Sequence, residues 1–128
     1  MQQALNMAQC KAHDIDYINL HGTASPINDA VEDQAIANLF DSRVPISSTK
    51  GWTGHTLGAA GALELVIACL CIEYGLIPQN LNLSTPDPSF KSKICTSTQQ
   101  HPVCKVMSNS FGFGGNNVSV IIGGGDHA

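Results

Sequence analysis

The run from Leu57 to Ile72 constrains this chain most: it is apolar or small throughout except for one carboxylate, Glu64. A bilayer-spanning helix needs about 20 such residues, so the run predicts a helix buried in protein, not a membrane span. Gly75 supplies its stop. A carboxylate inside such a helix needs a partner, because an unpaired buried charge is expensive. Lys50 lies upstream in the polar loop Ser48-Thr49-Lys50-Gly51-Trp52-Thr53-Gly54-His55, which feeds the helix. The expectation is a Lys50–Glu64 ion pair that orients this loop.

Of the 128 residues only 12% are charged and 43% are hydrophobic. That charge content is about half the usual level of about 25% for a soluble domain. A chain of this length buries a core without disulfides or metal. The shortage of charge therefore implies an apolar surface normally covered by other protein. A net charge of −4, with no cluster of Lys and Arg, argues against a nucleic-acid or anionic-membrane partner. Five cysteines, odd in number and irregularly spaced, with no secretory leader at Met1, read as free thiols of a cytoplasmic protein. Cys69 and Cys71 face different directions on a helix, and no second pair completes a metal site.

Along the chain, residues 1–12 predict a short helix with Ala4, Leu5, Ala8 and Ala12 on one side, followed by a strand at 17–20. Ser25 to Asp29 supplies turn and N-cap chemistry for a helix whose apolar positions are Val31, Ala35, Ile36, Leu39 and Phe40. A short strand is expected at 44–47. Residues 77–102 are irregular, and two strands at 103–110 and 118–122 flank a Gly-dense hairpin turn. Alternating strands and helices with a closing hairpin imply a layered α/β fold.

Three segments place reactive groups at predicted strand ends, where α/β folds hold their sites. They are His21-Gly22-Thr23-Ala24-Ser25, residues 48–61 and residues 109–117. Small hydroxylic neighbours leave room for a ligand beside His21. His55 stands just before a helix N-terminus, where the macrodipole disfavours a second positive charge and keeps the imidazole neutral; capping the helix is its alternative role. Neither Gly-rich segment has the order of a P-loop or a dinucleotide fingerprint, and no Gly-x-Ser-x-Gly elbow is present.

Together the segments resemble the C-terminal half of the β-ketoacyl-acyl-carrier-protein synthases, condensing enzymes of the thiolase-like fold. Residues 19–29 are similar to the family's Asn-x-His-Gly-Thr-x-Thr-Pro-x-x-Asp block, with Ser25 in place of its second Thr. Residues 47–61 are similar to its lysine and second-histidine loop, and residues 109–117 to its C-terminal Gly-rich turn. The resemblance implies a thiolase-like α/β lobe with a mixed sheet, formed by residues 1–128 as one lobe of a two-lobed enzyme. It implies that His21 and His55 are the active-site histidines, ordered by Lys50 with Glu64. The backbone N–H at Phe113 would join the acyl oxyanion hole, and the Phe113 ring would gate the acyl pocket. Thr23 and Ser25 would bind phosphopantetheine. The implied reaction is decarboxylative condensation of a malonyl thioester in fatty-acid, polyene or polyketide synthesis. No cofactor is expected beyond the phosphopantetheine arm of the acyl carrier protein that delivers the substrate. Implied partners are that carrier protein, the N-terminal lobe and a homo- or heterodimeric mate.

The family's nucleophilic cysteine lies in the N-terminal half, and none of Cys10, Cys69, Cys71, Cys95 or Cys104 has its context. The chain by itself is therefore expected not to condense anything, being a fragment or a split subunit. Two other readings are a non-catalytic, chain-length-factor-like subunit and a thiolase-type acyl transferase. Retention of His21, Lys50 and His55 counts against the first, and the lack of a cysteine in residues 109–117 against the second. The apolar helix and part of the strand layer are expected to face the missing lobe.

Overall fold

The computed structural model describes residues 1–40 and 42–123. Its centre is a five-stranded sheet in the order β4-β2-β1-β6-β7, formed by β1 (Tyr17–Asn19), β2 (Pro45–Ser47), β4 (Lys93–Ile94), β6 (Lys105–Gly112) and β7 (Asn116–Gly123). The pairs β1–β2, β1–β6 and β2–β4 are parallel, and β6–β7 is the expected antiparallel hairpin. Two short strands, β3 (Leu76–Ile77) and β5 (Gln99–Gln100), pair apart from it. The sheet is mixed, as expected.

Strand alternation creates two cores. On one face Ile18, Ile46 and Met107 pack with Leu5 of helix α1 (Gln2–Met7) and with Ile36 and Phe40 on α2 (Pro26–Leu39) and at its end. On the other face Tyr17 and Val106 pack with Ala68 and Cys71 of helix α4 (Ala60–Tyr74). Residues one apart on a strand point to opposite faces, so Tyr17 and Ile18 serve different layers. The result is helix, sheet, helix.

Several sequence expectations need correction. Helix α1 ends at Met7, and a separate 3-10 turn covers Ala12–Asp14, so Ala8 is exposed and not part of a longer apolar face. The polar loop after β2 contains one helical turn, α3 (Lys50–Thr53). The irregular 77–102 region contributes β4 to the main sheet and β5 to the small one. In α2, Val31 is 64% exposed, while Glu32 and Asp33 are buried. Their carboxylates accept backbone N–H groups, from His21 and Gly22 onto Glu32 and from Lys91 and Ser92 onto Asp33. Hydrogen bonding thus overrides apolar periodicity on this helix.

Helix α4 corrects a larger expectation. A 3-10 turn at Leu57–Ala59 precedes it, and Gly75 ends it in a left-handed conformation at φ 59°, as predicted. The helix is not enclosed, however: within the chain only the stripe Ala60, Glu64, Ala68 and Cys71 is buried. Val66, Leu70 and Tyr74 are exposed. The run Leu57–Tyr74 is long and apolar enough to cross a membrane by length and composition, with 22% of it buried. An extensive apolar face is therefore open, as the composition implied.

Candidate active site

Parallel pairing brings the ends of β1, β2 and β6 to one edge of the sheet, with Asn19 level with both Ser47 and Ser108. The three reactive segments leave from this edge. His21 follows β1, Lys50 follows β2, and Asn109 to Phe111 continue β6.

His21 is held by the chain's own interior. Glu32 accepts its backbone N–H at 3.0 Å and that of Gly22 at 3.0 Å, and takes a third bond from Asn109 Nδ2 at 3.2 Å. Asn109 in turn accepts from Ser119 Oγ at 2.8 Å. One buried carboxylate on α2 thus ties the His21 turn to β6 and, through Asn109, to β7. Sequence reasoning missed Glu32; its position four residues before buried Ile36 is the signal that could have found it. Gly22 adopts φ +37°, and a Cβ there would lie 2.5 Å from the Cβ of Ser48. Only glycine admits this close crossing, which Ser48 Oγ seals by donating to the Gly22 carbonyl at 2.7 Å.

The expected Lys50–Glu64 ion pair is present, with side chains 6% and 2% exposed. Burial pushes the Glu64 carboxyl up, opposed by Lys50. Burial likewise pushes Glu32 up, opposed by its three N–H donors.

His55 stands opposite His21, with ring centroids 5.7 Å apart and planes at 86°. Phe111 packs on His21 from another side, at 5.4 Å and 55°. Burial first, then the positive charge of Lys50 and the His55 ring, hold His21 below the usual imidazole value, against a small pull from Asp29. His21 is therefore neutral at pH 7. His55 Nδ1 accepts the backbone N–H of Leu57 at 3.1 Å. A backbone N–H only donates, so in neutral His55 the ring proton sits on Nε2. His55 does not take the alternative role of capping α4, because that helix starts at Ala60 with Ala59 as its N-cap and no side-chain cap bond; its Nδ1 instead takes the N–H of Leu57 in the preceding 3-10 turn, leaving Nε2 to offer a proton.

A cleft of about 820 Å³ opens beside His55 and Lys50, lined also by Thr23, Asp29, Asn80 and Leu81 among others, whereas His21 and Phe111 lie outside its lining. Thr23 is thus brought to His55 and Lys50. Ser25 is the exposed N-cap of α2, makes no side-chain cap bond and lies outside the cleft lining. Phe113, in the turn between β6 and β7, is fully exposed and lies outside the cleft lining. All five cysteines are free; burial pushes the Cys71 thiol up to about 11 and raises that of Cys95, the reverse of nucleophile activation. Among the described residues, no three His, Cys, Asp or Glu side chains gather to hold a metal ion.

Fold and site define a thiolase-like α/β lobe with a two-histidine, one-lysine edge. The sequence profile of the beta-ketoacyl synthase C-terminal domain matches residues 1–84. The chain belongs to the beta-ketoacyl synthase family. It is 44% identical over 128 residues to the mitochondrial 3-oxoacyl-[acyl-carrier-protein] synthase of Arabidopsis thaliana, an alignment covering 94% of this chain and 28% of that protein. It is 43% identical over 110 residues to 3-oxoacyl-[acyl-carrier-protein] synthase 1 of Escherichia coli K12, covering 84% of this chain and 27% of that protein. A ketosynthase structure from Xenorhabdus doucetiae, in complex with its chain length factor, superposes with a TM-score of 0.90 at 41% identity, covering 96% of this chain and 32% of that one. The ishigamide ketosynthase/chain length factor gives 0.91 at 34%, covering 95% and 31%. The chain thus spans less than a third of the length of these relatives.

Proposed function

We propose that residues 1–128 form the two-histidine lobe of a β-ketoacyl-acyl-carrier-protein synthase, which condenses a malonyl thioester with an acyl thioester by decarboxylation. The observation that carries this reading is the edge-to-face pair His21 and His55 at 5.7 Å, together with the buried Lys50–Glu64 ion pair. Loss of CO2 from the malonyl group leaves its bonding electrons as an enolate, with negative charge on the thioester oxygen. Two neutral imidazole N–H donors stabilise that charge more than they stabilise the ground state. His55 offers Nε2–H, and burial beside Lys50 keeps His21 neutral for the same task. The carbanion then attacks an acyl thioester on a cysteine of a companion lobe, forming the C–C bond and expelling the thiolate. In this reading Phe113 supplies a backbone N–H to the acyl oxyanion and its ring gates the acyl pocket, while Thr23 and Ser25 hydrogen-bond the phosphopantetheine arm. The companion lobe covers the exposed face of α4. Acyl carrier protein delivers the substrate, and a homo- or heterodimeric mate completes the assembly.

A chain-length-factor-like role is the second reading, favoured by the Xenorhabdus ketosynthase being solved with such a partner. The His21, His55 and Lys50 arrangement favours the first. The test is a chimera in which this chain replaces the matching lobe of the Escherichia coli relative, assayed for malonyl-carrier decarboxylation. The chimera should decarboxylate, and a His21→Ala, His55→Ala double variant should lose about a hundredfold or more. An assembled chimera with no activity, or a double variant at the parent rate, overturns the proposal.

A further inference from the structure

The two histidines are supported unequally. His21 is anchored through Glu32 and packed by Phe111, whereas residues 51–59 are all exposed between buried Lys50 and buried Ala60. A Cβ added at Gly54 or Gly58 would meet no atom within 4 Å, so nothing in the chain backs the His55 loop at these points. Within this stretch Leu57 has a left-handed backbone at φ +54°. Crowding between Cβ and carbonyl disfavours that conformation in a leucine. Its N–H is the donor that sets the His55 ring. Its side chain is 75% exposed, so little packing within the chain offsets the strain. Strained backbone persists where surrounding structure over-determines it, and here those surroundings are lacking within the chain.

We propose, resting on the two-lobe reading above, that Leu57 is the positioning residue through which docking of the companion lobe sets His55. The side chain packs against the lobe, the packing holds Leu57 in its left-handed turn, and its N–H then holds His55 with Nε2–H free to donate. Two observations identify the occupant. The chain spans 27–32% of its relatives, so most of the assembled protein lies elsewhere. Val66, Leu70 and Tyr74 of α4, the helix that follows Leu57 in the chain, are exposed apolar residues as well.

The test uses the full chimera with Leu57 unchanged or replaced by Met, Gly or Ala. It reads kcat and KM for malonyl-carrier decarboxylation and the 15N shifts of the His55 ring. Ala keeps the backbone cost and removes the anchor; Gly removes both; Met keeps the anchor. The expected order of kcat is Leu close to Met, then Gly, then Ala. The Ala variant should fall about tenfold with KM little changed, and its His55 ring should show mixed tautomers. A residue that merely fills space would rank Gly below Ala. Ala at the parent rate with an unchanged ring spectrum, or Gly below Ala, overturns the proposal and leaves the two-lobe reading intact. An assembled but inactive parent chimera overturns the proposed reaction instead, and the ring spectra still decide the role of Leu57.

Discussion

Replacing Glu64 by Gln tests the ion pair on which the second histidine's loop depends. The carboxylate is 2% exposed and its Oε1 accepts from Lys50 Nζ, while its Oε2 has no hydrogen-bond partner. Breaking a buried pair by removing one partner costs about 3–5 kcal/mol. Gln keeps an oxygen for Lys50 but leaves the buried ammonium without its counter-charge, so a loss of about 3 kcal/mol is expected, whereas Glu64→Ala, which also leaves a cavity, should lose about 4–5. A Lys50→Met, Glu64→Leu double variant should recover most of that stability, because a packed apolar pair replaces a buried ionic one at little cost. It should not recover activity, because the positive charge beside His21 is gone. Urea titration and malonyl-carrier decarboxylation of the chimera, run side by side, make the comparison. A Glu64→Gln protein within about 0.5 kcal/mol of the parent, which is the scatter of a neutral surface change, and equally active, refutes the reasoning.

Gly22→Ala places a methyl 2.5 Å from Ser48 Cβ at a positive φ; a loss above about 2 kcal/mol in the denaturation midpoint is expected, since both strain and clash act together. Glu32→Gln turns one acceptor oxygen into a donor facing an N–H, so about 2–3 kcal/mol should be lost in thermal unfolding, with His21 ring signals shifted. Stability should vary with pH on two sides. Folding holds the His21 proton less tightly than the ordinary value of 6.5, so the unfolded chain binds more protons and stability falls as pH drops through 6.5 toward the lowered folded value. Folding holds the Glu32 and Glu64 protons more tightly than the ordinary 4.5, so their contribution is lost as pH rises from 4.5 through the raised folded values. Urea midpoints from pH 4 to 8 check both, and a His21→Gln variant should lack the first slope.

Linear patterns made much of this protein legible. The apolar run with a lone carboxylate required a partner, and Lys50 supplied it because loop and helix are adjacent in the chain. Gly75, the hairpin around residues 113–115 and the strands at Tyr17 and Pro45 were readable because each depends on local backbone chemistry. The low charge fraction announced an open apolar face, now located on α4.

Only tertiary structure decided the rest, since the forces involved act between segments distant in sequence. Glu32 and Asp33 are buried in place of Val31 because backbone N–H groups from the His21 turn and from residues 91 and 92 converge on them. The strand at Lys93–Ile94 exists because β2 offers it a parallel edge. The unequal footing of the two histidines could not be read from their motifs. His21 is fixed by a carboxylate eleven residues away and by a ring on β6, whereas His55 has its edge-to-face contact with His21 and one hydrogen bond from a strained, exposed leucine.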